Sequence, residues 1–413
     1  MTALSYRQVW RLTHVRELLL GAFLSRLAAR MFELAVILYA LDRFGSPVFA
    51  GRAAFASLGP GLIVSPLAGA LLDRMRAGSA ILLDMLLSAV LLFSLCVMDG
   101  TGLIAAPALL AIVTVYSLTS PLRAAGIRIL LPRLVPDNAL ERANALDTGS
   151  YALVEVLGPA FAGGLFAFAG PNITMLTIAT LYLGGSLSLI PLLLQRADRI
   201  SCSPAGLLSE ARAGLGYMAR HPSLRGLAAS YSCYQLTWGI LYVAVPVFVA
   251  RELGAGANAD LAVGLLWAVS GLAGGIGALL AGRARGVGRE REIIGIGVLM
   301  TALAIYALST HFGLFGLWIG LTIAGFLAGP IDVGALRQRR TEPGWLGRVL
   351  AVSMGLNLSG IPIGSAIGGS LVTRSLSLAL IFAALASIAS AAMAFLLIPS
   401  TSELPSREAA EER

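Results

Sequence analysis

Gly69 to Gly78 reads GALLDRMRAG, and Gly277 to Gly286, about 208 residues later, reads GALLAGRARG. Each copy closes a long apolar run, carries two arginines and leads into another apolar run. A second pair agrees with the first. Gly158, Ala160, Gly163 and Gly164 follow Pro136 and Arg142, while Gly364, Ala366, Gly368 and Gly369 follow Pro343 and Arg348, at an offset of about 205 to 207. Two matches at nearly one offset, close to half the chain, read as a duplicated unit.

The units are built for lipid. The chain is 57% hydrophobic and 13% charged, against about 25% charged in an ordinary soluble protein. Runs of about 20 apolar residues, the length a helix needs to cross a bilayer, recur throughout. Spans are predicted near 18–41, 48–71, 79–98, 103–124, 146–168, 173–194, 225–250, 261–281, 293–310, 313–335, 349–372 and 377–398. The expected fold class is therefore all-α integral membrane, twelve transmembrane helices in two pseudo-symmetric six-helix bundles.

The net charge of +8 does not indicate nucleic acid. All 30 cationic side chains are arginines, clustered in short links between apolar runs, as a GC-rich bacterial gene would encode. Arg7, Arg11 and Arg16 precede the first span. Alternate links then hold Arg74 and Arg76; Arg128, Arg133 and Arg142; Arg196, Arg199, Arg212 and Arg220; Arg283, Arg285, Arg289 and Arg291; and Arg337, Arg339 and Arg340. The opposite links hold little beyond Arg43, Arg251 and Arg374. Cytoplasmic links carry the excess of arginine, so both termini are expected in the cytoplasm, with the protein multi-pass in the bacterial inner membrane.

Four segments follow: a bundle over 1–194, a linker over 195–224, a second bundle over 225–398 and a charged tail over 399–413. Within the linker, Leu207, Leu208, Ala211, Leu215 and Met218 fall at helical spacing opposite Glu210 and Arg212, the pattern of an amphipathic helix on the cytoplasmic face. It reads either as a linker between moving bundles or as a regulatory site. Cys96, Cys202 and Cys233 are dispersed and read as packing residues. His14, His221 and His311 give no metal spacing. Residues 1–17 lack a small-residue cleavage site and lead into a full-length span, so no cleaved signal peptide is expected.

Twelve spans, a 6+6 duplication, a long middle loop and charged loops after spans 2 and 8 together resemble the major facilitator superfamily. Gly69-x-x-x-Asp73-Arg74 resembles the family's loop 2–3 signature, although Arg76 stands where a second glycine is usual and the following basic run is missing. Leu131-Pro-Arg-Leu-Val-Pro136-Asp-Asn-Ala-Leu-Glu-Arg142-Ala-Asn144-Ala-Leu, followed by Gly158-Pro159 and Gly163-Gly164, is similar to the branch of macrolide-efflux and siderophore (enterobactin) exporters. Phe32-Glu33-Leu34-Ala35 and Gly45-Ser46-Pro47 fit the same branch. The glycine–proline segment resembles the exporters' span 5 signature with one extra residue between Pro159 and Gly163. The resemblance implies the major facilitator fold, alternating access, and a gating latch at Asp73 and Arg74 rather than a substrate site. Physically, Asp73 could face a neighbouring helix N-terminus or lie in a solvated turn; the second repeat has Ala281 and Gly282 there.

Charges inside spans are the informative ones, since each costs about 2.5–3.5 kcal/mol at the membrane centre even on a lenient scale. Arg26, Arg30 and Glu33 stand at i, i+4 and i+7 on one face of span 1. Arg26 either joins a cavity or snorkels to the cytoplasm. Arg30 and Glu33 are a structural pair, or else Glu33 titrates protons while Arg30 is its partner or anchors an anionic substrate group. Burial disfavours a charged carboxylate and a neighbouring arginine favours it, so substrate could switch protonation. Glu155, four residues before Pro159, is the second mid-span acid. Asp84 and Asp147, within about two turns of helix starts, read as N-terminal acids.

Span 7 carries Tyr231, Tyr234, Gln235, Trp238 and Tyr242 close to one face, either stacking on a lipophilic substrate or packing between helices. Ser120-Pro121-Leu122-Arg123 and Gly329-Pro330-Ile331-Asp332 end spans 4 and 10, so Arg123 and Asp332 are expected to meet as a gate when the cytoplasmic side closes and to separate when it opens, or to find separate partners. Gly158, Gly163, Gly164, Gly364, Gly368 and Gly369 let helix backbones approach, and Pro159 can bend its helix.

These readings lead to a secondary active exporter of a lipophilic or amphipathic small molecule, drug or siderophore, with a proton gradient as driving force and sodium as the alternative. No Walker A motif, metal spacing or cofactor site is present. No enzyme chemistry is expected, and the partners are the bilayer and the substrate, with a monomer as the working unit. An importer, a lysophospholipid flippase or a non-transporting scaffold or sensor are the alternatives.

Overall fold

A computed structural model describes residues 4–74, 76–193, 207–283, 290–329, 341 and 345–399. Among them, eight helical stretches are long and apolar enough to cross a membrane. One of these, within Asp137–Leu193, is two helices merged across a kink at Gly170, where φ is 84° and ψ is 174°. Pro171 follows: a left-handed residue breaks the ladder and a proline suited to a first helical turn restarts it. Gly313 divides Glu290–Ala328 in the same way.

Span 1, Val15–Phe44, is as long as its neighbours but carries Arg26, Arg30 and Glu33 in its middle. Span 11 comes in two pieces, Leu346–Leu358 and Gly360–Arg374. With these arms counted, the described helices make the twelve crossings expected. Span 4, Ala106–Leu134, runs about ten residues beyond its predicted end.

The even number of crossings puts both ends of the chain on one side, the termini side. The turns of the far side are short and several pivot on a glycine at positive φ: Gly45, Gly102, Gly170, Gly254 and Gly313. At Gly45 the N–H closes on the Leu41 carbonyl, the usual way a helix ends in a left-handed residue.

Within the first half, span 1 packs on the helix pair of Asp137–Leu193, and span 2 (Pro47–Arg74) on span 4. In the second half, span 7 (Pro222–Leu253) packs on both pieces of span 11 and on span 12, Leu376–Leu397. The halves meet along two seams. Span 5, the first arm of Asp137–Leu193, lies on span 8, Ala257–Arg283, and span 2 lies on span 11.

Small residues make the seams possible. A Cβ on Gly163 would sit 2.6 Å from the Gly264 Cα, and a Cβ on Gly369 would sit 2.4 Å from the Pro47 carbonyl oxygen. Both contacts lie near far-side helix ends, so the halves are shut there. Gly364 and Gly368 serve differently, admitting span 7 at Leu236 and Ile240. No close approach depends on a glycine at Gly164, since a Cβ there would meet no atom within 4 Å. Its expected packing role is corrected: the helix has room for a side chain at that position, unlike Gly163 one residue earlier.

The linker helix forms over Leu207–Arg220. Met218 is buried against Leu224 and Val349, and Tyr217 stacks on Trp345 at 4.7 Å. Leu215, grouped with Met218 on the predicted apolar face, is 47% exposed. The side chains of Leu207, Leu208 and Ala211, and the tail from 400, lie outside the described residues.

Candidate functional site

Span 1's charged face divides between two partners. Arg26 Nη1 donates to Asp147 Oδ1 at 2.7 Å and to Ser150 Oγ at 2.7 Å, and its guanidinium lies 3.8 Å from the centre of the Tyr151 ring. It is 6% exposed. Arg26 therefore neither snorkels nor lines the cavity, and Asp147 is an ion-pair partner rather than an acid placed for a helix end. The pair ties span 1 to the start of span 5.

One turn further on, Arg30 donates through Nη1 to Glu33 and through Nη2 to Glu155. The two predicted mid-span acids thus share one guanidinium, although they lie 122 positions apart in sequence. Gly158 makes room for this. A Cβ there would come 2.7 Å from the Arg30 Cγ and 2.8 Å from its Cβ, so the glycine seats the stem of the arginine.

These three side chains form one wall of a cavity of about 500 Å³ between the halves. Tyr234, Gln235 and Trp238 of span 7 line the same cavity, with Leu358 and Ile361 at the break in span 11. Pro159, Gly271 and Ser270 line it beside the seam. The cavity lies on the termini side of the closed seams, because its walls reach Ala278 and Gly329 near the termini-side ends of spans 8 and 10.

The aromatic stripe continues across helices. Tyr234 meets Trp238 edge-on at 6.0 Å, Trp238 meets Trp267 at 6.0 Å, and Tyr242 stacks on Trp267 at 4.7 Å. Span 7's ring face thus both packs and lines the cavity. Trp267, on span 8, is absent from the residues expected at the site, because in sequence it is one aromatic in an apolar run. Its signal emerges only when span 8 lies beside span 7. A cavity of this size, mostly apolar with a few convergent polar groups, suits a drug-sized molecule.

A second charged pair lies deeper in the first half. Arg123 Nε donates to Asp84 Oδ2 at 2.8 Å, with side-chain exposures of 9% and 1%. Tyr116 and Tyr182 join hydroxyls beside it at 2.6 Å. Asp84 is thus not a helix-end acid; it balances a buried arginine. Asp332, the expected partner of Arg123, and the side chains of Asp73 and Arg74 lie outside the described residues.

Known proteins share this architecture and sequence. The model of the Major Facilitator Superfamily matches residues 227–413. The uncharacterized MFS-type transporter y4rN of Sinorhizobium fredii is 47% identical over 398 residues, covering 96% of this chain and 97% of that protein. The chain belongs to the major facilitator superfamily. It is a multi-pass membrane protein of a transporter family, not of an enzyme family.

Solved structures of the superfamily fold agree with the helix arrangement. The nucleoside transporter NupG superposes with a TM-score of 0.71 at 13% identity, over 92% of this chain and 99% of that one. A bacterial homologue of the iron transporter ferroportin, solved in an inward-facing state, gives 0.73 at 18% identity over 92% and 98%. At such identities these neighbours speak for the superfamily fold alone.

Proposed function

We propose that the cavity is the substrate site of a proton-coupled exporter of a lipophilic or amphipathic small molecule, working by alternating access. The observation that carries this reading is Arg30 held between Glu33 and Glu155 on a cavity wall at the junction of the halves. A membrane interior tolerates such charge where it lines a water-filled cavity or pairs, and by default it marks a transport pathway. With two carboxylates on one guanidinium, protonation of either leaves a neutral Arg–Glu pair, and release of that proton leaves one net negative charge on the cavity wall, so the site has two charge states that differ by one proton.

In this reading the bundles over 1–194 and 225–398 rock about the midplane site, the linker over 195–224 spans their termini-side ends, and the tail follows from 399. The seams of Gly163 with Gly264 and Gly369 with Pro47 part when the cavity turns to the far side. The distribution of arginines makes the termini side cytoplasmic in a bacterial inner membrane, and the working unit is a monomer. The segment from Leu131 to Leu146 supports a place beside the macrolide and siderophore exporters.

The test is substrate-triggered proton release from purified protein, screening macrolides, dyes, siderophores and lysolipids at several pH values beside Glu33→Gln and Glu155→Gln. A proton signal lost in one glutamine variant supports antiport and names the coupling acid. Substrate binding without any proton signal removes proton coupling and brings sodium or a flippase forward.

A further inference from the structure

The sequence allowed Arg30 to anchor an anionic substrate group. The geometry points the other way. Each terminal nitrogen of Arg30 already donates to a carboxylate, so an incoming anion would be the third negative group gathered on one guanidinium. Among the described cavity residues, the charged side chains are Arg30, Glu33 and Glu155: one cation and two anions. The accessible charge is also negative, because Glu155 keeps 46% of its side chain open while Arg30 keeps 25% and Glu33 26%.

The rest of the lining is rich in aromatic rings, and the centre of the Tyr242 ring lies 6.0 Å from the Arg30 guanidinium. Trp238, Trp267 and Tyr242 line the same cavity, and ring faces carry the negative side of their quadrupole, which attracts cations and suits flat apolar groups. An exposed carboxylate and a cluster of rings in one cavity together match one kind of ligand.

We propose that the cavity selects lipophilic organic cations, with the positive head near Glu155 and the apolar body against Trp238, Trp267 and Tyr242. This narrows the function proposed above and rests on its placing substrate in this cavity. A cation arriving beside Glu155 competes with Arg30 for that carboxylate, and Glu33 retains the arginine when it does. Such a ligand needs no buried counter-ion beyond what the site already holds.

Tetraphenylphosphonium and tetraphenylborate carry the same four phenyl groups and opposite charge, so together they isolate the sign. Binding of each labelled ion to the full-length protein in detergent would be measured as the fraction displaced by excess unlabelled ion. The expected result is saturable binding of the phosphonium and none of the borate at equal concentration. Glu155→Gln should weaken the phosphonium about tenfold or more, and Trp238→Ala about tenfold.

Saturable borate binding as tight as the phosphonium, phosphonium binding unaltered by Glu155→Gln, or no saturable phosphonium binding to the native protein would each overturn the proposal. The charge comparison uses the native protein and does not depend on a variant folding. Proteoliposomes separate the two readings. Phosphonium that binds with these dependences, but whose distribution across the bilayer is the same with and without the protein under an imposed pH gradient, sinks the transport reading and leaves the cation site standing. Proton-linked flux of a neutral or anionic compound, lost in Glu33→Gln and without phosphonium binding, does the reverse.

Discussion

Valine at Gly264 tests whether the span 5–span 8 seam holds the halves together on the far side. A Cβ at this position would lie 2.7 Å from the Pro159 carbonyl oxygen and 2.8 Å from the Gly163 Cα. Both obstacles are backbone, so no rotamer change relieves them, and valine adds two methyl groups beyond the Cβ. Overpacking a tight site costs roughly 1–3 kcal/mol. The cost falls on the state with the seam closed and is relieved when the halves part. A free-energy difference of that size shifts the balance of the two states by roughly 5- to 150-fold. Gly164→Val is the built-in control, since its Cβ would meet nothing within 4 Å. Spin labels at Phe168→Cys and Asn258→Cys, both exposed near far-side helix ends, would report the separation by double electron–electron resonance in a background freed of native cysteines. The expected outcome is a new long-distance population in Gly264→Val and none in Gly164→Val. An unchanged distribution in Gly264→Val, or an equal change in Gly164→Val, would overturn this account of the seam.

Other outcomes follow from the same geometry. Asp84→Ala leaves Arg123 buried without its carboxylate and should lower stability by about 3–5 kcal/mol, whereas Asp84→Leu combined with Arg123→Met should come close to the native protein; thermal unfolding in detergent compares them, and equal losses would mean the two residues are not coupled. Gly158→Ala should push the Arg30 stem from its seat and reduce substrate flux in proteoliposomes by more than it reduces thermal stability; native flux would show that Arg30 adjusts freely. Glu33→Gln or Glu155→Gln should abolish the substrate-triggered proton signal while the other leaves part of it, and retention by both would remove these acids from coupling.

The helices were legible because hydropathy is a local property. Each run of about 20 apolar residues has to satisfy its own backbone in lipid, so it becomes a helix whatever surrounds it. The breaks at Gly170 and Gly313 fall at or beside the gaps between predicted spans, 168–173 and 310–313. Arg30, Glu33 and Glu155 stood out because charge inside a span is costly in any fold.

Pairing was not local. Arg26, Arg30 and Glu33 share one helix face, yet Arg26 pairs with Asp147, while Arg30 pairs with both Glu33 and Glu155. Arg123 meets Asp84 within its own half, a pairing the duplication did not suggest. A close approach depends on Gly163 and none on Gly164, one residue apart. Each outcome depends on the rotation of a helix about its axis and its register against a neighbour, which come from many contacts made at once. Hydropathy and charge along the chain were therefore enough to say which segments cross the membrane and which charges need an explanation. Which partners those charges meet, and which of them face the cavity, came from the packing of helices in three dimensions, because a buried charge is stabilised only by a group within a few ångströms of it.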